Sequence, residues 1–250
     1  MTNDCEERGL FSVGFVTGSS SDFPFEMFGI DHLAAIVITF FGIFYLYFYR
    51  QWLQSLPEKK MRMIEISAAI FLLLFEVAYY TWLVRMDVWS VSSGLPIELS
   101  SISVILMIVL LMKRNRHLVE IMFMVGIAGA LQAVFTPVLN YGFPHFRYIH
   151  FFISHIAVIW VAFYFIWIRG YLITVHSIWK SLLFLNILLP FIYWINLRLD
   201  GNYWFLMEKP AGGSLLDFLG PHPWYILGMQ GAALLFCIVL WLLFGKKSSK

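Results

Sequence analysis

Seven runs of about twenty mostly apolar residues, parted by short polar stretches, leave this chain little choice of solvent. They are Phe28–Tyr49, Arg62–Val84, Leu95–Met112, His117–Leu139, Arg147–Ile168, Trp179–Leu197 and Pro223–Phe244. A helix of that length crosses the hydrocarbon of a bilayer. Inside lipid every backbone polar group must be satisfied within the protein, so only helices and closed barrels cross, and these runs are too long for barrel strands. The expected fold is therefore all-α, a polytopic membrane bundle of seven transmembrane helices. Composition agrees: 60% of residues are apolar and only 13% are charged, too few to cover a water-facing globule. The net charge of +2 gives no footing for nucleic acid. The chain reads as one domain, 1–250, with an N-terminal outer arm, 1–27, and a long outer loop, 198–222.

Cytoplasmic loops carry an excess of Lys and Arg. One set of connections and ends holds Arg50, Lys59, Lys60, Arg62, Lys113, Arg114, Arg116, Arg169, Lys180, Lys246, Lys247 and Lys250; the other holds Arg8, Arg85, Arg147, Arg198 and Lys209, a ratio of 12 to 5. This predicts a multi-pass protein of the cell membrane with its N-terminus outside and its C-terminus in the cytoplasm. Met1 to Arg8 is polar and lacks the basic start and apolar core of a cleaved signal peptide. Cys5 in the arm and Cys237 deep in the last run are expected to lie too far apart to pair.

Polar groups in hydrocarbon are costly and usually face the bundle interior. Here they crowd the outer half. His32 opens the first run, Glu76 lies in the outer third of the second, and Glu98, Ser100 and Ser101 sit at the start of the third. Gln132, His155, Asn196 and Gln230 take corresponding levels in the remaining four. The inner half has Thr39, Ser67, Ser103, Thr174 and Asn186, while Glu65 and Glu120 sit where Lys and Arg reach them. Taken singly, a Gln or Asn in this set is expected to join helices by hydrogen bonds. Taken together, seven helices sending polar groups to one half predict an outward-facing polar cavity. The outer loop adds Asn202, Tyr203, Lys209, Asp217 and Trp224, either as a lid or as interfacial anchors.

His155 is the candidate general base, since imidazole titrates near neutral pH and its neighbours Phe151, Phe152, Ile159 and Ala162 favour the neutral, proton-accepting ring. A serine needs such a base to attack an acyl carbon. Periodicity does not choose between Ser100 and Ser101. His32, Glu76, Glu98 and His155 lack metal-ligand spacing, and His150 and His155, five apart, point to different faces, so no metal is expected. No cofactor motif is present: there is no phosphate-binding Gly-rich loop, no haem motif and no Lys inside the last helix for a Schiff base.

The chain resembles the YwaF-like, transmembrane protein 164 family of integral membrane acyltransferases. The resemblance rests on Phe28-Gly29-Ile30-Asp31-His32-Leu33, on Leu95-Pro96-Ile97-Glu98-Leu99-Ser100, on Phe151-Phe152-Ile153-Ser154-His155, and on two loop stretches. These are Asn202-Tyr203 with Lys209-Pro210, and Ser214-Leu215-Leu216-Asp217 through Gly220-Pro221-His222-Pro223-Trp224-Tyr225. It implies a bundle of this topology whose catalytic pair is a Cys and a His. The His falls on His155. The family's Leu-Pro-Leu-His-Leu-Cys pattern departs here, with Glu98 at its His and Ser100 at its Cys, and a hydroxyl ionises far less readily than a thiol.

The expected function is a lipid acyltransferase or transacylase of phospholipid remodelling, with a membrane phospholipid or lysophospholipid as partner. Ser100 carries the acyl group and His155 is the base. Glu98, Glu76 or His32 orients the ring, and amides at the start of the third helix hold the oxyanion. Two alternatives stand beside it: a lipid ester hydrolase using the same residues, and a non-enzymatic transporter or ligand-binding bundle that uses Glu76 and Glu98.

Overall fold

The computed structural model describes residues 14–210 and 215–246. The expectations placed on Met1 to Arg8, Cys5, Gly212 to Ser214, Lys247 and Lys250 lie outside the described residues.

Among the described residues, seven helices of 15 residues or more form the bundle: α1 Ile30–Phe48, α2 Glu58–Arg85, α3 Leu99–Lys113, α4 Arg116–Phe135, α5 Phe146–Trp167, α6 Val175–Leu199 and α7 Trp224–Phe244. Among the described residues β pairing is confined to two isolated bridges, Pro24 with Tyr141 and Ile173 with Gly245. Five helices (α1, α4, α5, α6 and α7) are long and apolar enough to cross a membrane by length and composition. Outside that set, α2 has 28 residues and carries Arg62, Glu65 and Glu76. The 15 residues of α3 reach only about 22 Å at 1.5 Å per residue.

α5 is the central pillar. It packs against α1, α2, α3 and α4 and buries Phe151, Phe152, Val158, Ile159, Ala162 and Phe165. Two close approaches set its neighbours. Trp160 lies over Gly42 of α1, where an added Cβ would come within 2.0 Å of the indole, and donates from Nε1 to the Thr39 carbonyl at 3.0 Å. Gly126 of α4 lets Val158 approach to 3.0 Å of where its Cβ would be. Gly126 closes a π turn, Met122–Gly126, whose five residues are all buried. α6 and α7 pack on each other and on α4, and most of their surface faces outward. Exposed Phe, Leu, Ile and Trp side chains along α1, α2, α6 and α7 give the bundle an apolar girdle.

One end is held by ion pairs, as the placement of Glu65 and Glu120 leads one to expect. Glu65, 1% exposed, takes Arg62 at 3.2 Å, Arg114 at 2.6 Å, Arg169 at 3.2 Å and the Tyr164 hydroxyl at 2.7 Å, fastening α2, α3 and α5 together. Glu58 adds bonds to Arg169 and Arg114. Glu120, also 1% exposed, joins α4 to α6 through Lys180 at 2.6 Å. At this basic end α3 stops on Arg114 in the left-handed region (φ 53°), and the Asn115 side chain caps α4 by accepting from the amides of His117 and Leu118. The opposite end carries the long loop and the described part of the N-terminal arm. Val16 accepts from the Trp82 indole at 2.7 Å and Phe23 from the Gly142 amide at 2.7 Å, so the arm is sewn to α2 and to the segment before α5.

Candidate functional site

At the loop end α5 presents His150, Ser154 and His155. His150 and Ser154 are four residues apart and share a face, turned toward α2. There His150 Nε2 meets Glu76 Oε1 at 2.9 Å, and the Ser154 hydroxyl lies 3.4 Å from the same nitrogen and 3.5 Å from the same oxygen. Tyr79 stacks on the imidazole at 4.0 Å, and the Arg147 guanidinium sits 5.0 Å over Tyr79. The cluster contains a serine, a histidine and an acid, but it is not wired as a nucleophile relay. In such a relay the serine and the carboxylate take opposite ring nitrogens. Here both face Nε2, while Nδ1 is buried without a partner among the described residues. The cluster ties α2 to α5.

His155 faces elsewhere, as the five-residue spacing requires. Its Nδ1–H donates to the Phe151 carbonyl one turn back at 2.6 Å, which leaves Nε2 as the lone-pair nitrogen, with no partner among the described residues. The ring is half-buried and lies against Phe151. The orienting group is therefore a backbone carbonyl of its own helix. The three side chains expected to orient it are engaged elsewhere. Glu76 takes His150. Glu98 accepts the Trp204 amide at 3.2 Å. His32 is fully buried, accepts from the Phe28 amide at Nδ1 and donates from Nε2 to the Val134 carbonyl at 2.8 Å, joining α1 to α4. A ring with both nitrogens so occupied cannot serve a second histidine.

The two serines differ. Ser100 is exposed in the first turn of α3, one residue after Leu99 opens the helix. No side chain caps that turn, so its first amides are free of intrahelical acceptors. Ser101 is half-buried and faces α2, where the Tyr80 hydroxyl stands 3.5 Å away. No hydrogen bond joins either serine to His155.

The remaining nominated residues divide by helix interface rather than gathering into one cavity. Gln230 accepts from Asn186 at 3.2 Å between α7 and α6. Gln132 is exposed on α4. Asn196 is 1% exposed and gives both ends of its amide to Tyr203, accepting from the Tyr203 N–H at 2.8 Å and donating to the Tyr203 carbonyl at 2.9 Å.

That clamp begins a docked loop. Asn202 accepts from the amides of Met207 and Glu208 and donates back to the Glu208 carbonyl. The Tyr203 ring is buried, and its hydroxyl donates to Val91 at 2.9 Å and accepts from Leu95 at 3.0 Å. The Trp204 indole donates to the Ile97 carbonyl at 2.8 Å. Trp204 and Phe205 both adopt left-handed backbone, φ 60° and 52°, which bulky residues rarely do unless surrounding bonds hold them there. Lys209 stands 3.7 Å from Asp217 and 5.5 Å over the Tyr225 ring, while Trp224 is exposed. The loop thus caps the start of α3. Among the described residues no group of three or more His, Cys, Asp or Glu side chains is placed to hold a metal ion.

The sequence reading missed the Glu76–His150 pair. The four-residue step from His150 to Ser154 marks a polar face on α5, but the sequence does not say which carboxylate that face meets.

A family model, described as the TMEM164 family, matches residues 27–241. Neither a search of curated proteins nor one of solved structures returns a match.

Proposed function

From the premise that this chain belongs to the TMEM164 family, a family of membrane proteins, we propose that it is a lipid acyltransferase whose nucleophile is Ser100 and whose base is His155. In this reading all seven helices cross the bilayer, the loop end faces outward, and the basic end faces the cytoplasm, where Lys and Arg belong. The observation that carries it is that, among the described residues, His155 Nε2 and the Ser100 hydroxyl have no hydrogen-bond partner, whereas His32, Glu76, Glu98 and Asn196 are committed to helix or loop contacts. They are also the chemical pair that acyl transfer needs.

The Ser100 hydroxyl gives its proton to His155 Nε2 while Oγ attacks the ester carbonyl of a phospholipid. The oxyanion is met by free amides in the first turn of α3. The intermediate collapses to acyl-Ser100, and the departing lysolipid oxygen takes the proton from the imidazolium. A second lysolipid hydroxyl then gives its proton to Nε2 and attacks the acyl-serine, and the departing Ser100 Oγ takes that proton back from the imidazolium, restoring both side chains. Because no hydrogen bond joins the pair, substrate must bring the two together, as catalytic contacts often tighten only on binding.

The test is the purified protein in vesicles containing a phospholipid with a labelled acyl chain, with and without lysophospholipid. Label should appear in the lysolipid, and Ser100→Ala and His155→Ala should each cut the rate by about 100-fold or more. Ser100→Cys should retain transfer, since a thiol ionises more readily. Label released as free fatty acid regardless of acceptor would make the protein a hydrolase. Full activity in both alanine variants would remove the pair from the reaction.

A further inference from the structure

The basic end holds an open cleft of about 480 Å³ between the starts of α4 and α6, lined by Arg116, His117, Glu120, Thr174, His176 and Lys180. We propose that this cleft is a binding site for a phosphate group, carried either by a lipid headgroup or by a soluble phosphate compound.

The charge balance argues for a guest. Glu120 is the one carboxylate in the lining, and it faces two full cations, Lys180 at 2.6 Å and Arg116 at 3.1 Å, besides the Ser177 hydroxyl at 3.0 Å. A single cation would neutralise it. The second leaves net positive charge, and two imidazoles stand beside it in the lining. The donors are also left over. Arg116 reaches Glu120 through Nε, so both terminal nitrogens of its fork have no partner among the described residues, and its side chain is 61% exposed. Lys180 donates to Glu120 and to His117 Nδ1 at 3.1 Å, which fixes His117 as a neutral ring with its Nε2–H free to donate. His176 is exposed at the rim.

Two helix starts frame the same space, since α4 begins at Arg116 and α6 at Val175. Asn115 and the Thr174–Ser177 capping box already take first-turn amides of the two helices, so what these starts add is the positive end of each helix dipole, which favours an anion. An Arg fork with lysine and imidazole donors fits the several oxygens of a phosphate better than the two of a carboxylate. Basic pockets between membrane helices are known to seat anionic headgroups. The site is independent of acyl transfer, which is placed at the opposite end of the bundle.

The test uses the full chain in nanodiscs of phosphatidylcholine alone or with phosphatidic acid. Lipid retained by the protein is counted by native mass spectrometry, and the unfolding midpoint is followed while inorganic phosphate is added. Arg116→Gln/His176→Ala is compared with Lys59→Gln/Lys60→Gln, which removes at least as much charge from the same end but away from the cleft. Retention of phosphatidic acid that falls about fivefold or more in the cleft variant and not in the control supports a headgroup. A phosphate-induced rise in the midpoint, lost only in the cleft variant and without lipid preference, supports a soluble ligand. If the double variant does not fold, the same readouts are taken with His176→Ala, which leaves the Glu120 ion pairs intact. Equal behaviour of wild-type and cleft variants, or an equal loss in the control, overturns the proposal.

Discussion

Asn196 gives its whole side-chain amide to one residue of the loop. Replacing it with Ala leaves the buried Tyr203 N–H unpaired, at a cost of about 1–3 kcal/mol, and leaves the Tyr203 carbonyl with only the Leu206 amide at 3.4 Å. The thermal unfolding midpoint of Asn196→Ala in detergent should fall well below that of the neighbouring exposed variant Leu197→Ala. Glu58 governs acid behaviour at the other end. Hydrogen bonds from Arg169 and Arg114 hold its carboxyl down to about 2, from an ordinary value of 4.5. A carboxyl depressed in the folded state contributes stability that is present above the ordinary value and drains away as pH falls from there toward about 2. Wild-type protein should therefore lose stability between pH 5 and pH 2, and Glu58→Gln should show a smaller loss across that window in pH-jump unfolding. The histidines show how far residues can be read from a sequence. That His150 and His155 point to different faces follows from their spacing. Which of them meets a carboxylate does not, because Glu76 is 74 positions away and helix rotation about α2 decides it.

At the scale of elements the close approach of α1 to α5 is the sharpest constraint. Gly42→Val would drive a branched side chain into the Trp160 indole. Overpacking of this kind costs about 1–3 kcal/mol, and it should appear as a lowered unfolding midpoint, with Trp160→Ala in the same background restoring part of it. The helices themselves were legible because apolar runs of this length have one solution in lipid. Their ends were not. α2 begins at Glu58 rather than Arg62, since a first turn of Glu and Lys outside the hydrocarbon is invisible to hydropathy yet helical after Pro57. α3 begins at Leu99 rather than Leu95, because Pro96 and the docked loop hold residues 95–98 out of the helix. The loop's aromatic content was readable, but its state was not. Asn196, Val91, Leu95, Ile97 and Glu98 supply the bonds that make it a cap rather than a free strap.

For the whole molecule the orientation proposed from Lys and Arg has a direct check. In a Cys5→Ser background, a cysteine placed at Phe218, which is 87% exposed at the loop end, should react with an impermeant thiol reagent on intact cells. A cysteine at Lys59 should react only after the membrane is opened. The reverse pattern would invert the bundle and move the Ser100 end to the cytoplasm. Several of the polar groups expected to line one cavity are paired across separate contacts. His32, Gln230 and Asn196 each close a separate interface, because a buried polar atom takes the nearest partner that satisfies it.

The shortness of α3 has a physical reach beyond its own contacts. In the proposed seven-span topology its roughly 22 Å falls short of about 30 Å of hydrocarbon, so its two ends would not both sit at undisturbed interfaces. In that topology, with Lys113 and Arg114 at one interface, Ser100 would lie below the other, and the membrane there would thin or let headgroups dip to meet it. Such hydrophobic mismatch makes the lipid around the protein part of its working geometry. In short-chain bilayers the ester bonds should stand level with Ser100, and in thick, sterol-stiffened ones they should ride above it, so that host chain length would tune the protein without any ligand binding at all.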